Sequence, residues 1–426
     1  MLEALIARPA ETAYEMTESG NCQIPQGIPC DIPFNKAFVT GNELQYLAQV
    51  VNGGAISANG RFTEACSRLL EDRFGIHKVL MVPSGTAALE LAAAVCDWEP
   101  GAEVLLPSFT FASTANAILR AGGKPVFVDV RPETLNIDAH LIDFHVTPRT
   151  RAIFPVHYAG VSCEMDQLMA VARRHDLTVV EDAAQAVNAR FQGAACGSIG
   201  DMGAFSFHST KDFTCGEGGA LCLRSAELAA RAEILREKGT DRAKFLRGEV
   251  DKYTWLAPGS SYVPSELSSA YLLAQLEAMD RITSARRSLY YRYRDLLAPL
   301  EQRGDLRLPI IPSGCEPNYH MFYVLMPDEA TRDTALAHLR ERGIQAAFHF
   351  LPLHTSPMGK RLGYRTGDLP WTEQLAGRIL RLPLYPDLRE ADQMRVHAAL
   401  VSLLRGSPRR LPVRPAATVV TGIAAR

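Results

Sequence analysis

Apolar residues in this chain fall into short continuous runs, separated by longer stretches where they recur every three or four positions. The run Leu177-Thr178-Val179-Val180 ends on the charged pair Glu181-Asp182. It reads as a buried parallel strand whose acidic tip lies at the carboxyl edge of a sheet. Gly203-Ala204-Phe205-Ser206-Phe207 reads as a second strand, and Ala220-Leu221-Cys222-Leu223, after the turn Gly216-Glu217-Gly218-Gly219, as a third. Similar runs lie at 103–107, 125–130 and 152–156. Between runs, spacings such as Leu89, Ala92, Ala93 and Cys96 mark helices. This alternation predicts an α/β fold with a mostly parallel central sheet, in which ligands collect beyond the strand ends.

After Tyr262 the pattern changes. Residues 264–300 read as one long helical segment leading to a smaller region, where expected strands at 321–325 and 346–350 flank a helix over 332–342. The expected organisation is an extension at 1–30, a large domain at 31–263, a linking helix with a small domain at 264–405, and a disordered tail at 406–426 rich in proline, arginine and small residues. A chain of 426 residues, 47% hydrophobic, can bury the cores of two domains. Forty-five basic and 47 acidic residues give a net charge of −2 with no basic block, which excludes the usual nucleic-acid binder. No apolar run reaches the ~18 residues that span a bilayer. Glu3, Glu11, Glu15 and Glu18 interrupt the first 30 residues, unlike a secretion signal. Nine scattered cysteines, an odd number without zinc spacing, suit a reducing cytoplasm better than a disulfide framework. His157, His208, His320, His349 and His354 show no metal-binding spacing.

Chemistry concentrates in 181–219. An isolated Glu-Asp pair would ordinarily be a strand end with Asp182 capping the next helix, and a lone Lys211 a solvated loop residue. Together they suggest more. A carboxylate at a strand tip can hold a pyridine nitrogen protonated, a hydroxyl such as Ser206 can hold a phosphate, and a desolvated lysine can form an imine with an aldehyde. Those are the needs of pyridoxal 5'-phosphate. The glycines at 216–219 form a region without bulky side chains that a planar ring could approach. Pro83-Ser84-Gly85-Thr86 opens a helix whose free N–H groups favour an anion, and Pro107-Ser108-Phe109-Thr110-Phe111 places aromatics at another strand end.

Taken together, these motifs resemble the sugar aminotransferases of the DegT/StrS family, and within it the dTDP-4-amino-4,6-dideoxygalactose transaminases. Besides the motifs above, the resemblance rests on Pro155-Val156-His157-Tyr158-Ala159-Gly160, Arg236-Glu237-Lys238-Gly239-Thr240, Val250-Asp251-Lys252-Tyr253-Thr254-Trp255, Gly259-Ser260-Ser261-Tyr262 and Asn318-Tyr319-His320-Met321-Phe322-Tyr323. It runs from about Ile32 to about Leu404. The resemblance implies fold type I of the pyridoxal phosphate enzymes, with a large domain around a mostly parallel seven-stranded sheet and a smaller C-terminal α/β domain. It also implies that Lys211 bonds to the cofactor, Asp182 to the ring nitrogen, Gln185 to the ring hydroxyl, and that Phe111 stacks on the ring. Gly85, Thr86 and Ser206, with Ser84 beside them, would hold the phosphate.

For the substrate, the resemblance moves His320 and His157 toward the sugar, and makes Arg242, Lys252 and Tyr253 a clamp on its diphosphate across the interface of a homodimer with composite sites. Many relatives carry an asparagine at the position of Val263, reaching the neighbouring subunit's phosphate, and an aspartate at that of Glu266; here Ser260 or Ser261 would substitute, or fewer groups would serve. The implied activity is amination of C4 of a dTDP-4-keto-6-deoxyhexose with L-glutamate as donor. Amination at C3 and a non-catalytic sugar or cofactor sensor are the alternatives. A related dehydratase branch replaces the lysine with histidine, which Lys211 argues against.

Overall fold

A computed structural model describes residues 30–405; the expected tail, and all but the last residue of the expected extension, lie outside them. The central sheet comprises β1 (Lys78–Val82), β2 (Glu103–Pro107), β3 (Lys124–Val128), β4 (Thr150–Ile153), β5 (Thr178–Asp182), β8 (Met202–Ser206) and β9 (Gly219–Leu223), in the order β1-β9-β8-β5-β4-β2-β3. β9 runs antiparallel to β1 and β8, and the remaining pairs are parallel. β6 (Arg190–Phe191), β7 (Ala194–Ala195) and β10 (Cys315–Glu316) form a small side sheet, and β11 (Phe322–Leu325) pairs with β12 (Ile379–Leu382).

Successive strand residues point to opposite faces, and both faces are covered. Leu80, Val82, Val180, Met202, Ala204 and Leu221 pack under the helices Gly85–Cys96 and Ala226–Arg236. Val79, Met81, Phe205, Ala220 and Cys222 pack on the other side against Arg61–Phe74 and Glu266–Glu277. A separate apolar core joins Tyr293 and Leu297 of the helix Met279–Gln302 to Phe322, Val324, Leu380 and Leu400. Ile32, from the start of the described chain, is buried in this same C-terminal core, and its N–H donates to Gly343 O (3.0 Å).

Three expectations change. The segment 264–300 is two helices, Glu266–Glu277 and Met279–Gln302, because Ala278 leaves helical geometry (φ −96°, ψ 11°). The strand expected at 346–350 reduces to one bridge between Ala347 and Arg381, since the next carbonyl, Phe348 O, is taken by the Arg381 guanidinium (3.0 and 3.2 Å). β11 pairs with β12. β1 is a further strand of the central sheet, beyond the runs singled out above.

Candidate active site

β5 delivers Glu181 and Asp182 to opposite faces of the sheet, and their fates differ. Glu181 is fully buried and accepts N–H groups from Gly197, Ile199 and Gly200 (2.7–2.8 Å), so it clamps the turn before β8. Its fourth partner is His157 Nε2 at 2.7 Å. Because His157 Nδ1 accepts the Cys163 N–H (3.1 Å), the ring proton sits on Nε2 and is given to Glu181. Both ring nitrogens are therefore committed inside the protein, and His157, expected near the sugar, holds the sheet edge together instead.

Asp182 is also buried, but it retains capacity. Thr114 Oγ1 donates to one oxygen (2.8 Å) and the Ala184 N–H to the other (3.2 Å). Burial pushes its carboxyl above the usual range, against the pull of those two bonds and of the Lys211 charge. A buried carboxylate without a bonded cation among the described residues suits a partner that brings a positive N–H.

Lys211 lies in the hairpin between β8 and β9, which is closed by Phe207 N–H to Gly218 O (2.8 Å) and Cys215 N–H to Phe207 O (3.0 Å). Burial pushes its amine below the ordinary lysine value, although Asp182 and Asp212 pull it back up. The glycines after it serve packing. A Cβ at Gly219 would lie 2.3 Å from the Ser84 carbonyl, so this glycine lets the hairpin press on the start of the helix Gly85–Cys96.

That contact assembles the anion cradle. A Cβ at Gly85 would meet Ser206 Cβ at 2.7 Å, so glycine lets the Ser206 hydroxyl reach the first helical turn. The first-turn N–H groups of Gly85 and Thr86 have no intrahelical carbonyl to bond. Ser84 Oγ accepts the Ala87 N–H (3.0 Å), which leaves its hydroxyl hydrogen to donate, and Thr86 Oγ1 is 2.7 Å from Ser113 Oγ. Phe111 is 63% exposed, its ring 6.3 Å from that of Phe350. Gln185 Oε1 accepts the Ala159 N–H (2.8 Å), which leaves its NH2 end to donate.

Gln185, Ser206, Lys211 and His320 line one small cavity together with Asp212 and Asn318. Arg242, Lys252 and Tyr253 do not; they lie on an exposed excursion, where Arg242 pairs with Glu237 (3.5 Å) and Tyr253 packs on Phe245. Glu266 is buried and accepts the N–H groups of Gly60, Phe62 and Thr63 at the start of Arg61–Phe74. Sequence reasoning passed over Thr114, Asp212, Arg286 and Arg381. Arg381 had a signal, as a lone charge in the apolar stretch Ile379-Leu380-Arg381-Leu382.

Comparison with known proteins settles the family. The profile of the DegT/DnrJ/EryC1/StrS aminotransferase family matches residues 39–401. The chain belongs to this family. It is 36% identical to the GDP-perosamine synthase of Caulobacter vibrioides over 366 residues, 85% of this chain and 96% of that protein. Among solved structures it resembles the aminotransferase TlmJ of Streptoalloteichus hindustanus (TM-score 0.80, 30% identity, 88% of this chain and 99% of that one). It also resembles NtdA of Bacillus subtilis with its cofactor PMP bound (TM-score 0.78, 27% identity, 86% and 83%).

DegT/StrS aminotransferases work with pyridoxal phosphate, and the residues present fit that group. The cradle of Gly85, Thr86 and Ser206 suits a phosphate, Asp182 a protonated ring nitrogen, and the burial-lowered amine of Lys211 an aldehyde.

Proposed function

We propose that the chain transfers the amine of L-glutamate to the C4 keto group of a dTDP-4-keto-6-deoxyhexose, releasing 2-oxoglutarate and the 4-amino-4,6-dideoxy sugar nucleotide. The observation that carries the transaminase reading is the meeting, in one buried site, of a lysine shifted toward its neutral form and a carboxylate with no bonded cation among the described residues. Bound there, pyridoxal phosphate supplies an aldehyde to receive the amine and a ring to take up electrons. Lys211 bonds the cofactor and, when free, moves a proton to or from the carbon that carries the amine. Asp182, kept in place by Thr114, holds the proton at the ring nitrogen. Gln185 orients the ring through its NH2 end, while Gly85, Thr86 and Ser206 anchor the phosphate.

The dTDP assignment rests on the likeness of 155–160, 236–240, 250–255, 259–262 and 318–323 to the dTDP-4-amino-4,6-dideoxygalactose transaminases. A GDP-linked keto sugar is the competing reading, because a GDP-perosamine synthase is among the relatives. Incubating the protein with glutamate and either dTDP-4-keto-6-deoxyglucose or the corresponding GDP-linked 4-keto-6-deoxyhexose decides between them. The dTDP sugar should be converted with the higher kcat/KM, and NMR of the product should place the new amine on C4. Preference for the GDP sugar, or an amine on C3, overturns the assignment.

The same reading makes the enzyme a homodimer with shared sites. Ser260 and Ser261 are exposed beside half-buried Val263, and Trp255 (75% exposed) and Leu256 (53%) present apolar surface on the same excursion. Mixing a Lys211→Ala chain with one altered at Ser260, Ser261 and Tyr262 should restore part of the activity through one intact site per heterodimer. A monomer in sedimentation, or verified heterodimers without activity, counts against the shared site.

A further inference from the structure

Side chains along β12 alternate between two surroundings. Leu380 and Leu382 enter the C-terminal core, whereas Ile379 packs with Phe109, Tyr158 and Tyr323, beyond the ends of β2 and β4. Arg381 shares the face of Ile379, opposite Tyr323 on β11, so it lies on the side of the small sheet that meets the active site. Two neighbours fix its place. Its guanidinium carbon is 4.6 Å from the centre of the Phe34 ring, and the next residue, Asn35, donates to Ser209 O (3.2 Å) in the hairpin that carries Lys211. On its other side Phe348 O accepts from both Nε and Nη2 (3.2 and 3.0 Å), and the adjoining His349 Nδ1 is 2.9 Å from the Tyr158 hydroxyl. Tyr158 follows His157, whose N–H bonds Asp182 O (3.1 Å). The guanidinium thus sits between the Lys211 hairpin and the turn beside Asp182.

Only one edge of this guanidinium is spent. Nη1 makes no hydrogen bond among the described residues, and no carboxylate among them pairs with the group, in contrast to Arg286, which meets Asp212 Oδ1 at 3.1 Å. Burial lowers the pKa of Arg381 to about 10, and the only charge set against that is the Tyr158 phenol, so the side chain stays cationic at neutral pH. The residue is half-buried and not sealed in, so an incoming anion can reach the free N–H groups. A partly desolvated cation without a counter-ion calls for one.

We propose that Arg381 binds a carboxylate of the amino donor through Nη1, which makes it a specificity-determining residue for L-glutamate, distinct from the groups that hold the sugar nucleotide. The inference rests on the transaminase reading, in which an amino acid must bring its amine to the place where Lys211 bonds the cofactor. Both carboxylates of glutamate lie close to that amine, so a cation beside the Lys211 hairpin meets one of them as the amine arrives. The diphosphate of a sugar nucleotide is joined at C1, across the ring from C4, and is carried away from the reacting carbon. No covalent bond forms or breaks at Arg381; it contributes charge-assisted hydrogen bonds.

The test uses the full chain loaded with pyridoxal phosphate and titrated with glutarate, a dicarboxylate that has no amine to react. Calorimetry should show saturable binding to the wild type, weakened about thirtyfold or more in Arg381→Gln and less in Arg381→Lys, which keeps the charge. When glutamate bleaches the imine band, the concentration giving half the maximal rate should rise in the same order, with a smaller fall in the maximal rate. Binding of dTDP should not change. No saturable glutarate binding in the wild type, a weakening of less than about tenfold in Arg381→Gln, or a loss confined to dTDP overturns the inference. If neither variant folds, a crystal structure of the wild type with glutarate decides, with a carboxylate oxygen expected within hydrogen-bonding distance of Nη1; a separation beyond about 4 Å overturns the proposal. Borohydride trapping of pyridoxal phosphate on wild-type Lys211 keeps the two readings apart, since failure to trap it sinks the transaminase reading, whereas trapping with glutarate binding unaltered in Arg381→Gln sinks only the role of Arg381.

Discussion

Lys211→Ala should abolish covalent cofactor and turnover together, with activity falling by about four orders of magnitude or more, a rise of at least ~5 kcal/mol in the barrier. Two roles are lost at once: the amine that bonds the cofactor, and the base that moves a proton at the substrate carbon. The fold should survive, because burial already disfavours the ammonium and the hairpin is closed by backbone bonds at Phe207 that the side chain does not make. Borohydride treatment followed by mass spectrometry checks the first loss, and stopped-time assays of 2-oxoglutarate release check the second. The variant should still bind the aminated sugar-cofactor adduct without releasing it. Turnover near wild type in Lys211→Ala would remove the lysine from the mechanism.

How much of this was legible in the sequence depends on how local each contact is. Asp182, Ser206 and Lys211 could be read because each sits at or just beyond a strand end, and parallel strands present their ends to one edge. The role of Gly85 was half legible: a glycine opening a helix suggests an anion cradle, but its contact with Ser206 arises only because the sheet order sets β8 beside that helix. Thr114 was hidden, since nothing in a helix pattern tells which hydroxyl will meet a carboxylate 68 positions away. The same holds for Arg286 on Asp212, and for His157, whose bond to Glu181 turns an apparent site histidine into a structural one. Periodicity gives elements and faces. It does not give the pairings between distant elements that decide which polar groups are spent and which stay free.

Asp182→Asn should leave the fold and much of the bound cofactor intact yet lower turnover by orders of magnitude. The substitution is sterically mild, and its hydrogen bonds can be rearranged. Thr114 Oγ1 lies 2.8 Å from Thr110 Oγ1, so the hydroxyl pair can reverse and let Thr114 accept from the new amide where it had donated to the carboxylate. The Ala184 N–H keeps an oxygen to bond. What the amide cannot supply is charge: a protonated ring nitrogen is favoured by a buried anion, and the neutral side chain removes that anion where the low dielectric makes it most effective. The loss should fall on kcat more than on KM for the sugar nucleotide, since under the proposed function Asp182 meets the ring nitrogen and acts as negative charge develops at the reacting carbon. A fall of less than about tenfold, or ~1.4 kcal/mol of barrier, would mean that Asp182 is not the partner of the ring nitrogen.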